Sequence, residues 1–259
     1  MADQDTQASV PAQGGAPNPS QLFPFPLDDF QLEAIDALNQ GHSVVVSAPT
    51  GSGKTLVGEY AIHRAMAHGQ KVFYTTPLKA LSNQKLRDFR EQFGAENVGL
   101  MTGDLSVNRD ASIVVMTTEI FRNMLYAEAD EHDDPLADVE AVVLDECHYM
   151  NDSQRGTVWE ESIIHSPPPV QLVALSATVA NAGQLTDWIE KVHGPTTLVL
   201  SDFRPVPLHF GFCSAKGLHP LLNEQGTGLH PNCKVWRAPK GHKRKGRSPR
   251  PPQPEPPPI

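Results

Sequence analysis

Short apolar runs alternate along this chain with longer stretches whose apolar residues recur every three or four positions, a rhythm that predicts strands alternating with helices. Leu32, Ile35 and Leu38 fall on one helix face, and Gly41 ends that helix. Val44, Val45 and Val46 form a β-branched run suited to a fully buried strand, and a helical pattern follows from Thr55 to about His68. Val72 to Thr76 predicts a second buried strand, stopped by Pro77, with a helix from about Leu78 to Phe93. Ile113–Met116 is the next strand, before a helix from Glu119 to about Tyr126. Two further runs, Ala141–Leu144 and Leu172–Leu175, precede a helix over Leu185–Val192 and a strand over Thr197–Leu200. Val206 to Phe212 alternates apolar with smaller or polar residues and predicts an edge strand.

Apolar strands of this kind, separated by helices, imply an α/β fold: a parallel sheet covered on both faces. Ligands of such sheets bind outside the carboxyl ends of the strands. The polar clusters fall there, at Thr50–Thr55, Thr75-Thr76-Pro77, Thr117-Thr118, Asp145-Glu146 and Ser176–Thr178. Residues 1–21, rich in Gln, Ala, Pro, Gly and Ser, are expected to be disordered. An ordered domain is expected over 22–213. Residues 214–259 read as a linker that passes into a basic, proline-dominated tail.

Charge adds an asymmetry. The net charge is −9, yet residues 234–259 hold eight Lys and Arg against Glu255 alone, leaving 13 basic and 29 acidic residues, or −16, in 1–233. The basic tail reads as a solvated linker, with contact to phosphate as the alternative. Cys147, Cys213 and Cys233 give no disulfide framework, no apolar run approaches a membrane span, and Asp3 and Asp5 sit where a secretory signal would be basic. These features predict a cytoplasmic protein. Cys213, His219, His230 and Cys233 match no common zinc spacing, Cys147 reads as a small buried residue, and Trp159 and Trp188 read as helix packing.

The chemistry concentrates in Ala48-Pro49-Thr50-Gly51-Ser52-Gly53-Lys54-Thr55. A strand, a glycine loop and Lys-Thr opening a helix form the context of a phosphate-binding loop. Its glycines let backbone N–H groups turn toward phosphate oxygens, and the helix N-terminus adds a favourable dipole. Lys54 then reaches the β- and γ-phosphates, and the Thr55 hydroxyl ligates Mg²⁺. Ala48 stands where the usual pattern begins with glycine. Asp145, at a later strand end, suits the metal, and Glu146 suits activation of the attacking water.

These motifs, taken with Ser176-Ala177-Thr178, resemble the superfamily II helicase set. Thr76 to Gln84, Gly99 to Asp104, Thr117 to Arg122 and Arg155 to Glu161 narrow the resemblance to superkiller-type DExH-box RNA helicases, including chloroplast and cyanobacterial members. It covers about residues 23–212 and implies a RecA-like fold, with ATP and Mg²⁺ as ligands and single-stranded RNA gripped without sequence preference. Phe25 would stack on adenine and Gln31 would bond its edge. His148, Ser176, Ala177 and Thr178 would couple nucleotide state to motion. Pro77, Leu78, Lys79, Thr102, Gly103, Asp104, Thr117, Thr118 and Arg122 would line the nucleic-acid track. Such helicases complete their ATP site with arginines of a second RecA-like lobe, supplied in cis or in trans. The chain as given carries none, so it is expected to be a fragment with weak ATP binding and little turnover alone. A DNA-directed helicase lobe and a non-catalytic nucleotide-dependent binding module are the alternatives.

Overall fold

Val44, Val45 and Val46 are wholly shielded from solvent. Burial of each such side chain gives roughly 1.5–3 kcal/mol, enough to outweigh the roughly 1–2 kcal/mol per residue of ordering the backbone. They form the middle of the strand that carries the glycine loop. The computed structural model describes residues 16–126, 135–152, 156–214, 217–231 and 233. Most of the expected disordered N-terminus, part of the acidic stretch between Glu128 and Glu140, Arg155 and the basic tail lie outside the described residues.

In chain order the elements are α1 (Pro19–Leu22), α2 (Asp29–Asn39), β1 (Ser43–Ser47), α3 (Thr55–His68), β2 (Lys71–Thr76), α4 (Lys79–Phe93), β3 (Val98–Met101), β4 (Ser106–Val107), β5 (Ile113–Thr117), α5 (Thr118–Tyr126), β6 (Val139–Leu144), α6 (Gly156–His165), β7 (Gln171–Ser176), α7 (Ala182–Val192), β8 (Thr196–Leu200), β9 (Gly211–Ser214) and β10 (Gly217–Pro220). A 3₁₀ turn, Cys147–Asn151, follows β6. Eight strands make one sheet in the order β4-β3-β5-β2-β6-β7-β1-β8, parallel throughout except for the β3–β4 pair at one edge.

Strand alternation feeds two cores. Val44, Val46, Tyr74, Val115, Val143 and Leu175 pack with Ile35, Val57, Ile62 and Phe89 of α2, α3 and α4. Val45, Phe73, Val114, Met116, Val142 and Ala174 pack with Phe121, Ile163 and Ile189 of α5, α6 and α7. Helices therefore cover both faces, as the strand pattern predicts. Trp159 is wholly buried and stacks on Tyr149, with ring centroids 6.2 Å apart.

Three strands escaped the sequence pattern, β3, β4 and β10, and one expected strand is absent from the main sheet. Residues 206–210 are irregular, and β9 pairs only with β10 in a separate antiparallel hairpin. The reason is visible in the side chains: Val206, Leu208 and Phe210 are all exposed, so their alternation marks no buried face. Two compact units divide between Pro205 and Val206, ahead of the expected boundary at 213, and the segment read as a linker begins with the β9–β10 hairpin. Among the described residues, no helix is long and apolar enough to cross a membrane.

Candidate nucleotide and nucleic-acid site

The carboxyl ends of five strands meet in register. Ser47 pairs with Ser176, Thr76 with Thr117, and Thr75 with Leu144, so the residues that follow these ends share one rim of the sheet. β1 lies between β7 and β8, and its loop turns directly into α3.

Gly51 and Gly53 hold φ values of +84° and +86°, which only glycine adopts freely. A Cβ on Gly53 would also meet Gln31 Nε2 at 2.8 Å. Below this loop Lys54 is 6% exposed, and its ammonium makes no hydrogen bond or ion pair with any described residue. The Ser52 hydroxyl is buried without a partner among the described residues. A lysine this far buried with no counter-charge suits an anionic ligand, and N–H groups at a helix start favour an anion. Phosphate oxygens fit this cradle. Thr55 is partly exposed at the start of α3, while Ala48 is buried and its N–H donates to Ser176 O at 3.2 Å. Pro49 is partly exposed and Thr50 fully so.

Phe25 is 53% exposed, free to serve as a stacking surface. Gln31 has both atoms of its amide engaged within the protein. It is 4% exposed, its Oε1 accepts from Asp28 N–H at 2.9 Å, and its Nε2 donates to Gly53 O at 3.0 Å. Its amide thus ties the start of α2 to the glycine loop.

Asp145 is 8% exposed and held at both oxygens: Glu146 N–H donates to Oδ1 and the Tyr74 hydroxyl to Oδ2, each at 2.9 Å. Burial and the neighbouring Asp145 charge hold the Tyr74 phenol well above its ordinary pKa, so it remains a donor. An oriented carboxylate on the same rim of the sheet as a hydroxyl-bearing loop suits a hard cation such as Mg²⁺. Glu146 has φ +53°, a left-handed conformation that non-glycine residues adopt at a cost and that recurs at functional sites. Burial alone pushes the neighbouring Cys147 thiol up to about 12, which makes it an inert packing residue.

His148 Nδ1 lies 3.2 Å from Glu146 Oε2 and 3.4 Å from Ala177 N. Ser176 Oγ donates to Ala177 O at 2.8 Å, and Ser47 Oγ donates to the same oxygen at 3.4 Å while accepting from Val179 N–H at 3.3 Å. Thr178 is exposed. A continuous chain of contacts thus runs from the end of β1, through Ser176–Val179, to Glu146.

Residues expected along the nucleic-acid track divide into two groups. Leu78, Lys79, Gly103 and Asp104 are exposed, with Lys79 ion-paired to Asp104, and Arg122 is partly exposed and 3.4 Å from Glu161 Oε2. Pro77, Thr102 and Thr118 are buried, and Thr117 is partly so. Thr118 Oγ1 donates to Thr76 O at 3.2 Å, and Thr102 N–H donates to Leu105 O at 2.8 Å. The side chains of this second group are thus less open to solvent than those of the first. Tyr74 and Ser47 were not singled out in the sequence. A buried tyrosine hydroxyl needs a partner, but naming Asp145 requires the β2–β6 register.

The DEAD/DEAH box helicase family model matches residues 28–185. A chloroplastic DExH-box ATP-dependent RNA helicase of Arabidopsis thaliana is 55% identical over 211 residues, 81% of this chain and 18% of that one. The antiviral helicase SKI2 of Saccharomyces cerevisiae is 48% identical over 217 residues, 83% and 17% of the two chains. The chain spans about a fifth of the length of the curated relatives it matches. Among solved structures, the DUF1998 helicase MrfA bound to DNA superposes with a TM-score of 0.56 at 21% identity, covering 68% of this chain and 27% of that one. The Pyrococcus furiosus Hef helicase domain gives 0.50 at 24%, covering 67% and 38%. At such identities the likeness is one of fold, that of a helicase RecA-like domain.

Proposed function

Because the chain belongs to the DEAD/DEAH box helicase family, we propose that residues 22–213 are the ATP-binding lobe of an ATP-dependent RNA helicase. The observation that carries this reading is Lys54, buried and without a counter-charge among the described residues, at the end of a loop whose two glycines hold positive φ. The curated relatives named as RNA helicases favour RNA over DNA as the nucleic acid.

In this reading Phe25 stacks on adenine, residues 48–55 enclose the phosphates, and Thr55 and Asp145 supply oxygens to Mg²⁺. The metal, when bound, neutralises charge on the β- and γ-phosphates. Lys54 holds the γ-phosphate oxygens. Glu146 takes a proton from water as the water oxygen bonds to the γ-phosphorus and the bond from that phosphorus to the β-bridging oxygen breaks, leaving ADP and phosphate. His148 and Ser176–Thr178 carry the change in phosphate contacts to the rest of the lobe. Lys79 and Arg122 hold the backbone of a single strand, which gives grip without sequence preference. A second RecA-like lobe, in cis or in trans, completes the ATP site. The cysteines are free thiols, in keeping with a cytoplasmic setting.

The test is equilibrium binding of a fluorescent ATP analogue with Mg²⁺, together with matched single-stranded RNA and DNA oligonucleotides. Lys54→Ala is expected to lose nucleotide binding, and RNA is expected to bind more tightly than DNA. Nucleotide binding unchanged by Lys54→Ala overturns the reading, and a preference for DNA replaces it with a DNA-directed lobe.

A further inference from the structure

Tyr74 sits at the centre of β2, wholly buried, with one polar atom to satisfy. Its hydroxyl reaches Asp145 Oδ2 at 2.9 Å. The register explains the contact: Tyr74 pairs with Val143, and Asp145 lies two residues further on, returning to the same face of the sheet. The ring is clamped from three sides. Phe89 meets it edge-on at 4.9 Å between centroids, Lys85 Nζ lies 5.3 Å above it, and a Cβ on Gly58 would come within 3.2 Å of its Cε2. These contacts restrict the tilt and sliding of the ring.

We propose that Tyr74 is a positioning residue for the metal site: it fixes the rotation of the Asp145 carboxylate, so that Asp145 is already aimed at Mg²⁺ when a nucleotide arrives. This rests on the reading of Asp145 as the metal's carboxylate. Glu146 N–H already holds Oδ1. Without the phenol, the carboxylate keeps one anchor and can turn about it. Groups that orient a metal ligand in this way typically change metal affinity 10–100-fold when removed. Lys85 and Phe89 belong to α4, the helix that begins at Lys79, so the clamp on the ring descends from the element expected to meet the nucleic-acid backbone.

The experiment compares Tyr74→Phe with the unaltered 259-residue chain. Affinity for a fluorescent ATP analogue is measured with Mg²⁺ and again with EDTA, and free Mn²⁺ is titrated by electron paramagnetic resonance in the presence of nucleotide. Tyr74→Phe keeps the packed ring and removes only the donor. The expected result is a loss of roughly 10-fold or more in the Mg²⁺-dependent gain and in Mn²⁺ affinity, with EDTA affinity unchanged. Equal losses in both conditions, or no loss in either, overturn the proposal. Should Tyr74→Phe not fold, Gly58→Ala carries the same test, since its added Cβ would meet the ring at 3.2 Å and push it, with its hydroxyl, away from Asp145. If the unaltered chain gains nothing from Mg²⁺, the reading of the metal site fails instead.

Discussion

Gln31 Nε2 and Gly53 O lie 3.0 Å apart, and the same nitrogen stands 2.8 Å from where a Cβ on Gly53 would be. The glycine loop is therefore closed from the side by a residue 22 positions earlier. Gly51 shares the positive φ but has nothing within 4 Å of its Cβ position. The two glycines separate conformational strain from steric conflict. Gly51→Ala is expected to cost roughly 1–2 kcal/mol in strain, read as a lower melting temperature. Gly53→Ala adds displacement of Gln31, so its melting temperature and nucleotide affinity are both expected to fall further. Equal effects of the two substitutions would count against the Gln31 brace.

Most of this architecture is legible in the chain because the strands are apolar on both faces and end in polar residues. β1, β2, β5, β6 and β7 lie within a residue or two of their expected bounds. β3 was missed for a physical reason. Gly99 sits within it, and a Cβ there would come 2.0 Å from Asn108 O, so the glycine admits a passing backbone. Hydrophobic period does not register such an approach. The loop, Asp145 and Glu146 are likewise readable from spacing. Which side chains aim them is not, because the Tyr74 contact depends on strand register and the Ser47 contact on residues 130 and 132 positions away.

Lys79 and Asp104 form an ion pair between two exposed residues of the expected track. The Lys79 ammonium holds the Asp104 carboxyl below its ordinary pKa. A phosphate must displace this carboxylate to engage Lys79. Asp104→Asn is expected to tighten single-stranded RNA binding by several-fold at low salt. Lys79→Ala is expected to weaken it and to lower the slope of log affinity against log salt by about 0.7, the value for one phosphate contact on a single strand. In the Lys79→Ala background, Asp104→Asn should have no further effect. Fluorescence anisotropy across a salt series reads all four proteins. An undiminished Asp104→Asn effect in that background would show general repulsion instead.

His63 is packed between Phe23, at 6.0 Å between centroids, and Phe93, at 4.9 Å, and burial lowers its pKa from 6.5. The unfolded chain, with the higher pKa, takes up this proton first on acidification. Stability from a neutral His63 is thus complete above about 6.5 and declines as pH falls through that value. His63→Phe removes the titration and keeps an aromatic ring. Its melting temperature is expected to fall less than that of the unaltered chain between pH 7 and pH 5.5. Parallel curves over that range would refute the assignment.

At the opposite end of the sheet from the glycine loop, Arg64 is 5% exposed at its side chain and Glu140 10%, with Arg64 Nε 2.5 Å from Glu140 Oε1. Arg64 also donates to Leu38 O at 2.5 Å and to Gln171 Oε1, while Gln171 Nε2 donates to Leu38 O at 3.0 Å and to His42 O at 2.8 Å. These bonds join α2, α3, β6 and β7 at the amino ends of the strands. Removing one member of a buried pair strands the other charge, at a cost of about 3–5 kcal/mol. Glu140→Gln is therefore expected to lower stability by that order in denaturant titrations. Replacing both partners, as in Arg64→Met with Glu140→Gln, is expected to recover much of the loss, because no isolated charge remains. Nucleotide affinity measured well below the melting temperature should be unchanged in either variant, since none of these residues touches the loop or Asp145. A loss of affinity in the folded Glu140→Gln protein would show that this clasp, and not the rim contacts alone, sets the geometry of the nucleotide site.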